Sequence, residues 1–158
     1  MARSIFDKNS RLKSGALAIV AERRFGDAEA LAKTDQNVRA NGVAYLSGFV
    51  IEILLKMQLL KQYPHIAGKQ PEKLTEDQRH IWRLIWRQHD LEAMLKQLPH
   101  VETSLERKGR YDGEDYVKEL KKVCLNWTIH ARYSPRMMLM REAQEWLERV
   151  RSLKEMLK

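Results

Sequence analysis

Apolar positions recur at helical spacing along most of the chain, and they are densest in residues 39–60, RANGVAYLSGFVIEILLKMQLL. An apolar run longer than about 12 residues predicts a helix rather than a strand, and at about 1.5 Å of rise per residue this one spans roughly 33 Å. Glu52 and Lys56 interrupt the run four residues apart, acid first, the favoured order for an ion pair on one helix face. They also break any uncharged stretch of the roughly 18 residues that a bilayer span requires. A helix apolar nearly all round is expected to be contacted on several sides. Glu52 then needs Lys56 or another partner, Arg39 or Arg132, because an unpaired buried charge costs several kcal/mol.

The remaining elements follow from the same periodicity and its punctuation. Leu12, Ala16, Ile19, Val20 and Phe25 predict a first helix over 10–33, with a join at Gly26, after a loose lead-in of residues 1–9. The central helix is expected to end near Tyr63, since Pro64 disfavours helical geometry in the residue before it. Residues 64–74 read as a loop. Thr75 and Gln78 form a capping-box pattern that opens a third helical region, restarting at His89–Asp90 and closed by Pro99. Residues 100–112 read as a polar connector ending in the turn pair Asp112-Gly113. A fourth helix is expected over 114–128. Ser134-Pro135, a cap with proline at the first helical position, predicts a fifth helix running to Lys158, striped by Leu139, Ala143, Trp146, Leu147, Val150, Leu153 and Leu157. The expectation is all-α: one domain, residues 10–158, folded as an up-and-down bundle of about five helices.

Composition adds direction. Seven glycines and four prolines in 158 residues are too few for a turn-dense β domain. The net charge of +8 favours anionic partners, nucleic acid first, although the basic residues are spread along the chain and interleaved with acids. The single cysteine, Cys124, excludes an intramolecular disulfide and multi-cysteine metal sites; its apolar setting predicts an inert buried thiol. The first residues carry no apolar core of signal-peptide length, so a cytoplasmic location without membrane attachment is the default expectation.

Candidate chemistry is sparse. His65, His80, His89, His100 and His130 show no metal-ligand spacing, and neither a metal nor another cofactor is expected. There is no glycine-rich phosphate loop and no nucleophile elbow. His89 beside Asp90 reads as a catalytic pair or as a hydrogen-bonded histidine at a helix start. His130, Arg132 and Tyr133 read as phosphate or base contacts, or as a packed turn. Trp82 and Trp86, amid Arg79, Arg83 and Arg87, suit base stacking or the core.

Three stretches carry a family resemblance. Ala44-Tyr-Leu-Ser-Gly-Phe-Val-Ile-Glu-Ile-Leu-Leu-Lys56 resembles the second helix of HEPN domains (higher eukaryotes and prokaryotes nucleotide-binding). His89-Asp-Leu91, with Leu95 a turn later, resembles the family's His-Asp-Leu helix start. Trp127 followed by Arg132-Tyr-Ser-Pro135 and a long amphipathic helix resembles the end of an uncharacterised bacterial branch. The resemblance implies a helical bundle, often dimeric, tied to RNA, nucleotides and bacterial toxin–antitoxin or defence systems. It makes His130, Arg132, Tyr133, Glu52 and Lys56 the candidate nucleotide or RNA contacts, and a nucleotidyltransferase a candidate partner. Many members are metal-independent ribonucleases with an arginine and a histidine separated by four to six residues, usually as Arg-Asn-x-x-x-His. In Leu125-Asn-Trp-Thr-Ile-His130 a leucine stands in the arginine's place, which implies weak or no cleavage. The one pair with family spacing, Arg83 and His89, lies in a different segment and leaves an active metal-independent ribonuclease as the alternative.

Overall fold

The computed structural model describes residues 14–158, so the expected 1–9 lead-in and the first four residues of the predicted first helix lie outside the described residues. Those described form eight α-helices: α1 (Ser14–Ala32), α2 (Ala40–Gln62), α3 (Pro64–Ala67), α4 (Glu76–Trp86), α5 (Leu91–Lys96), α6 (Pro99–Asp112), α7 (Tyr116–Asn126) and α8 (Met140–Leu157), with short 3-10 turns at Asn37–Arg39, Pro71–Lys73 and Ile129–Tyr133. The all-α class holds. The count is eight rather than about five.

The centre is as the periodicity implies. α2 packs most extensively against α1 and then against α8, and it also meets α4 and α5. Residues 37–62 are long and apolar enough to cross a membrane by length and composition, yet 72% of their apolar 18-residue window is buried inside the protein. Thirteen α2 residues are buried, among them Val50, Ile51, Leu54, Leu55 and Leu59. α1 runs through Gly26 without a break, and Arg24 pairs with Asp27 across it at 2.9 Å.

Start signals were mostly legible. The Thr75–Gln78 capping box forms in both directions, Asp90 accepts from Ala93 N–H at 2.9 Å to open α5, and Asp115 does the same for α7 through Lys118 N–H. Gly113 ends α6 with φ +72°, the left-handed geometry that glycine adopts without a Cβ penalty.

Three expectations are corrected. Residues 100–112 are not a connector: Pro99 stands at the first position of α6, which buries Val101, Leu105 and Gly109 on one face. Pro64 likewise opens the short α3 within the expected loop. Ser134-Pro135 does not start the last helix, which begins at Met140. The extra helix also changes the topology. In an alternating bundle of five, the second and fifth helices run in opposite directions. Here Met140 N–H bonds Asn37 and Leu157 C=O bonds Gln58, so α8 runs parallel to α2.

Candidate functional site

α2 carries two polar clusters. The first lies at its middle. Glu52 is 1% exposed, and its Oε1 accepts from Lys56 Nζ at 2.8 Å and from His89 Nδ1 at 2.8 Å. Glu52 Oε2 is buried with no hydrogen-bond partner among the described residues. Lys56 is 14% exposed, so the pair predicted from the i,i+4 spacing is internal. The third member is His89 from the α4–α5 junction, not Arg39, whose Nε bonds Gln36. The His89 side chain is 40% exposed and continues outward from the buried carboxylate.

The second cluster lies at the start of α2. Asn41 Nδ2 donates to Arg136 C=O at 2.8 Å and to Ser134 C=O at 3.5 Å, while its Oδ1 accepts from Met138 N–H at 2.9 Å. One turn earlier, Asn37 Oδ1 accepts from Met140 N–H at 2.7 Å. These amides hold residues 134–140 as a strap, and that capture keeps Pro135 out of the last helix. Glu142 reaches back to Leu139 N–H at 2.9 Å, so α8 begins only once the strap is released.

Strap residues Ser134, Arg136, Met137 and Met138 line a groove of about 620 Å³ together with Asn41, Ala44, Thr128, His130, Ala131 and Glu142. Its lining combines methyl and thioether groups with an imidazole, a guanidinium and the Glu142 carboxylate. Trp127 fixes the wall: its indole donates to Tyr45 C=O at 3.1 Å and lies against Gly48, where an added Cβ would meet the indole at 1.9 Å. Only glycine allows that approach.

The predicted site residues therefore divide. His130 lines the groove and Tyr133 stands exposed at the end of its 3-10 turn; Arg132 belongs to the same turn, and its side chain lies outside the described residues. Glu52 and Lys56 lie further along α2, roughly 12 Å and 18 Å from Ala44 along the axis, and Glu52 bonds both Lys56 and His89 instead of opening into the groove. Arg83 pairs with Glu76 at 3.0 Å on the outer side of α4. Trp82 and Trp86 pack partly buried against the core, with Arg87 over Trp82 at 5.7 Å and Trp86 Nε1 bonded to Ala67 C=O. Leu125 is 69% exposed and lines a different cavity, about 650 Å³, with Val117, Lys118, Lys121 and Lys122, so it and His130 do not share one.

Sequence reasoning missed Asn37, Asn41, Arg136 and the methionines of the strap. Two asparagines one turn apart were visible, but their bonding partners lie more than ninety residues away. Cys124 is buried, and burial, reinforced by Glu92, Asp90 and Glu102, pushes its thiol up to about 12; such a thiol is a poor nucleophile. No group of three His, Cys, Asp or Glu among the described residues could hold a metal ion. No family model matches the chain, and comparison with curated proteins and with solved structures returns no significant match, so the HEPN resemblance stands on its three stretches alone.

Proposed function

We propose that this is a HEPN-like helical protein of a bacterial toxin–antitoxin or defence system, cytoplasmic and homodimeric, that binds RNA or a nucleotide without cleaving RNA efficiently. The observation that carries the reading is the groove that the strap lines. Its volume falls in the range of small-ligand sites, its methyl and thioether groups suit a base, and His130 and Arg136 in its lining suit a phosphate. The net charge of +8 adds long-range attraction for an anion. Inefficient cleavage follows from Leu125, which supplies no guanidinium to a scissile phosphate, and from Arg83, which is bonded to Glu76. Glu52 and Lys56, being internal, support the fold in this reading and leave the contacts to His130, Arg136 and the Arg132–Tyr133 turn.

Fluorescence anisotropy with labelled RNA and with nucleotides, across a salt series, tests it. Affinity is expected to fall steeply with salt and to weaken in Arg136→Ala and His130→Ala. Absent or salt-insensitive binding counts against the proposal, and RNA cleavage lost in His89→Ala would replace it with the ribonuclease reading.

Val38, Met137 and Leu139 expose their side chains on the segments that Asn37 and Asn41 join. Apolar exposure of this kind marks interaction surfaces and favours a second reading, a protein-interaction module partnering a nucleotidyltransferase. A partner that co-purifies without nucleic acid distinguishes the two.

A further inference from the structure

A hydrogen bond at one imidazole nitrogen decides the chemistry of the other. Glu52 Oε1 lies 2.8 Å from His89 Nδ1 and takes a second bond, also 2.8 Å, from the Lys56 ammonium. A carboxylate oxygen in that position accepts, so in the neutral imidazole Nδ1 carries the proton and the lone pair sits on Nε2. The carboxylate is immobilised in the middle of α2, 1% exposed, while the His89 side chain is 40% exposed. The chain thus presents an oriented imidazole on an exposed side chain, braced from the interior. All five histidines are exposed, yet among the described residues only His89 has a carboxylate on its ring. His89 lines neither of the two cavities described above. Chemistry at Nε2 therefore fits a group delivered and collected by other molecules better than a substrate enclosed by this chain.

We propose that His89 Nε2 is a phosphoryl-accepting site, with Glu52 as its positioning residue, for donors that carry an activated phosphoryl group as an acyl phosphate or a phosphoramidate. The Nε2 lone pair forms the new nitrogen–phosphorus bond while the bond from phosphorus to the donor's leaving oxygen or nitrogen breaks, and that bond's electron pair departs with the leaving group. Nδ1 keeps its proton, and the positive charge that the ring develops is met by the Glu52 carboxylate. A carboxylate that fixes the tautomer and stabilises the charged ring is a recurrent way to activate imidazole. The site is independent of the groove and of whatever binds there.

The test needs no knowledge of the natural donor. The full chain is incubated with phosphoramidate and, in parallel, with acetyl phosphate, and acid-labile phosphate is mapped over the five histidines by mass spectrometry. His89 is expected to be labelled roughly 10–100-fold faster than His65, His80, His100 and His130. Glu52→Gln should remove that excess while the other four histidines label at unchanged rates and the circular dichroism is preserved. Labelling of His89 by one donor alone supports the site and identifies the donor class. Equal labelling of all five histidines overturns the proposal, as does an excess at His89 that survives in Glu52→Gln. Should Glu52→Gln fail to fold, the comparison among histidines within the unmodified chain still decides.

Discussion

The two polar clusters on α2 solve different problems with different chemistry. At the start of the helix, Asn37 and Asn41 offer neutral amides to the backbone of a distant strap, in a half-exposed setting. At its middle, Glu52 is fully buried and its bonds go to a lysine and a histidine. A neutral amide matches peptide N–H and C=O groups with little desolvation cost, so it can organise a loop near water. A buried carboxylate loses so much hydration that it persists only with cationic or strongly donating partners. The first cluster shapes a groove; the second fixes one side chain.

The comparison can be broken most forcefully at the charged cluster. Lys56→Met is expected to destabilise the protein by about 3 kcal/mol, because it strands a buried charge, whereas Glu52→Leu combined with Lys56→Met should cost much less. Urea unfolding of both variants checks the contrast; equal losses would mean that Lys56 acts mainly through packing. Between the clusters, Gly48→Ala would drive a Cβ into the Trp127 indole and should cost about 1–3 kcal/mol, with altered tryptophan fluorescence as Trp127 is displaced. Asn41→Ala removes the bonds to Ser134, Arg136 and Met138 and should cost about 1–2 kcal/mol. Its sharper signature is local: tryptic cleavage after Arg136 should accelerate well before global unfolding changes.

The smallest effect is with acid. Glu22 is held below the usual carboxylate range by hydrogen bonds to Lys154 and Lys158, Glu119 by hydrogen bonds to Lys122 and Arg149, and Glu155 by Lys154 and Lys158. Folded carboxylates of this kind bind protons less readily than unfolded ones, so their contribution is present above the ordinary glutamate value near 4.3 and is lost as pH falls through the lower folded values. These groups are partly exposed, so screening leaves roughly 1 kcal/mol or less between them. The urea midpoint should therefore decline modestly below about pH 4.5, and Glu22→Gln should flatten part of that decline.

Legibility differed between the two clusters for a physical reason. Glu52 and Lys56 announced themselves because their i,i+4 spacing makes them neighbours on any helix. His89 beside Asp90 reads as a catalytic pair or as a hydrogen-bonded histidine at a helix start, and neither reading names its partner Glu52 on α2. Helix α6 went unread because only Val101, Leu105 and Gly109 face inward, leaving a largely charged sequence whose apolar face is one stripe wide. The α8 boundary was misplaced because Ser134-Pro135 is a sound local start that more distant bonds override.

The sequence by itself determined the helical class, the central place of α2, the internal Glu52–Lys56 pair, the caps at Thr75 and Asp90 and the turn at Gly113. Each rests on interactions within a few residues, which spacing and residue type specify directly. Tertiary structure alone decided that α8 runs parallel to α2, that two asparagines draw a strap out of the last helix, that Trp127 claims the space at Gly48, and that His89 reaches Glu52. Those outcomes join residues between 37 and 103 positions apart, and no local pattern records which distant surfaces meet when the helices pack.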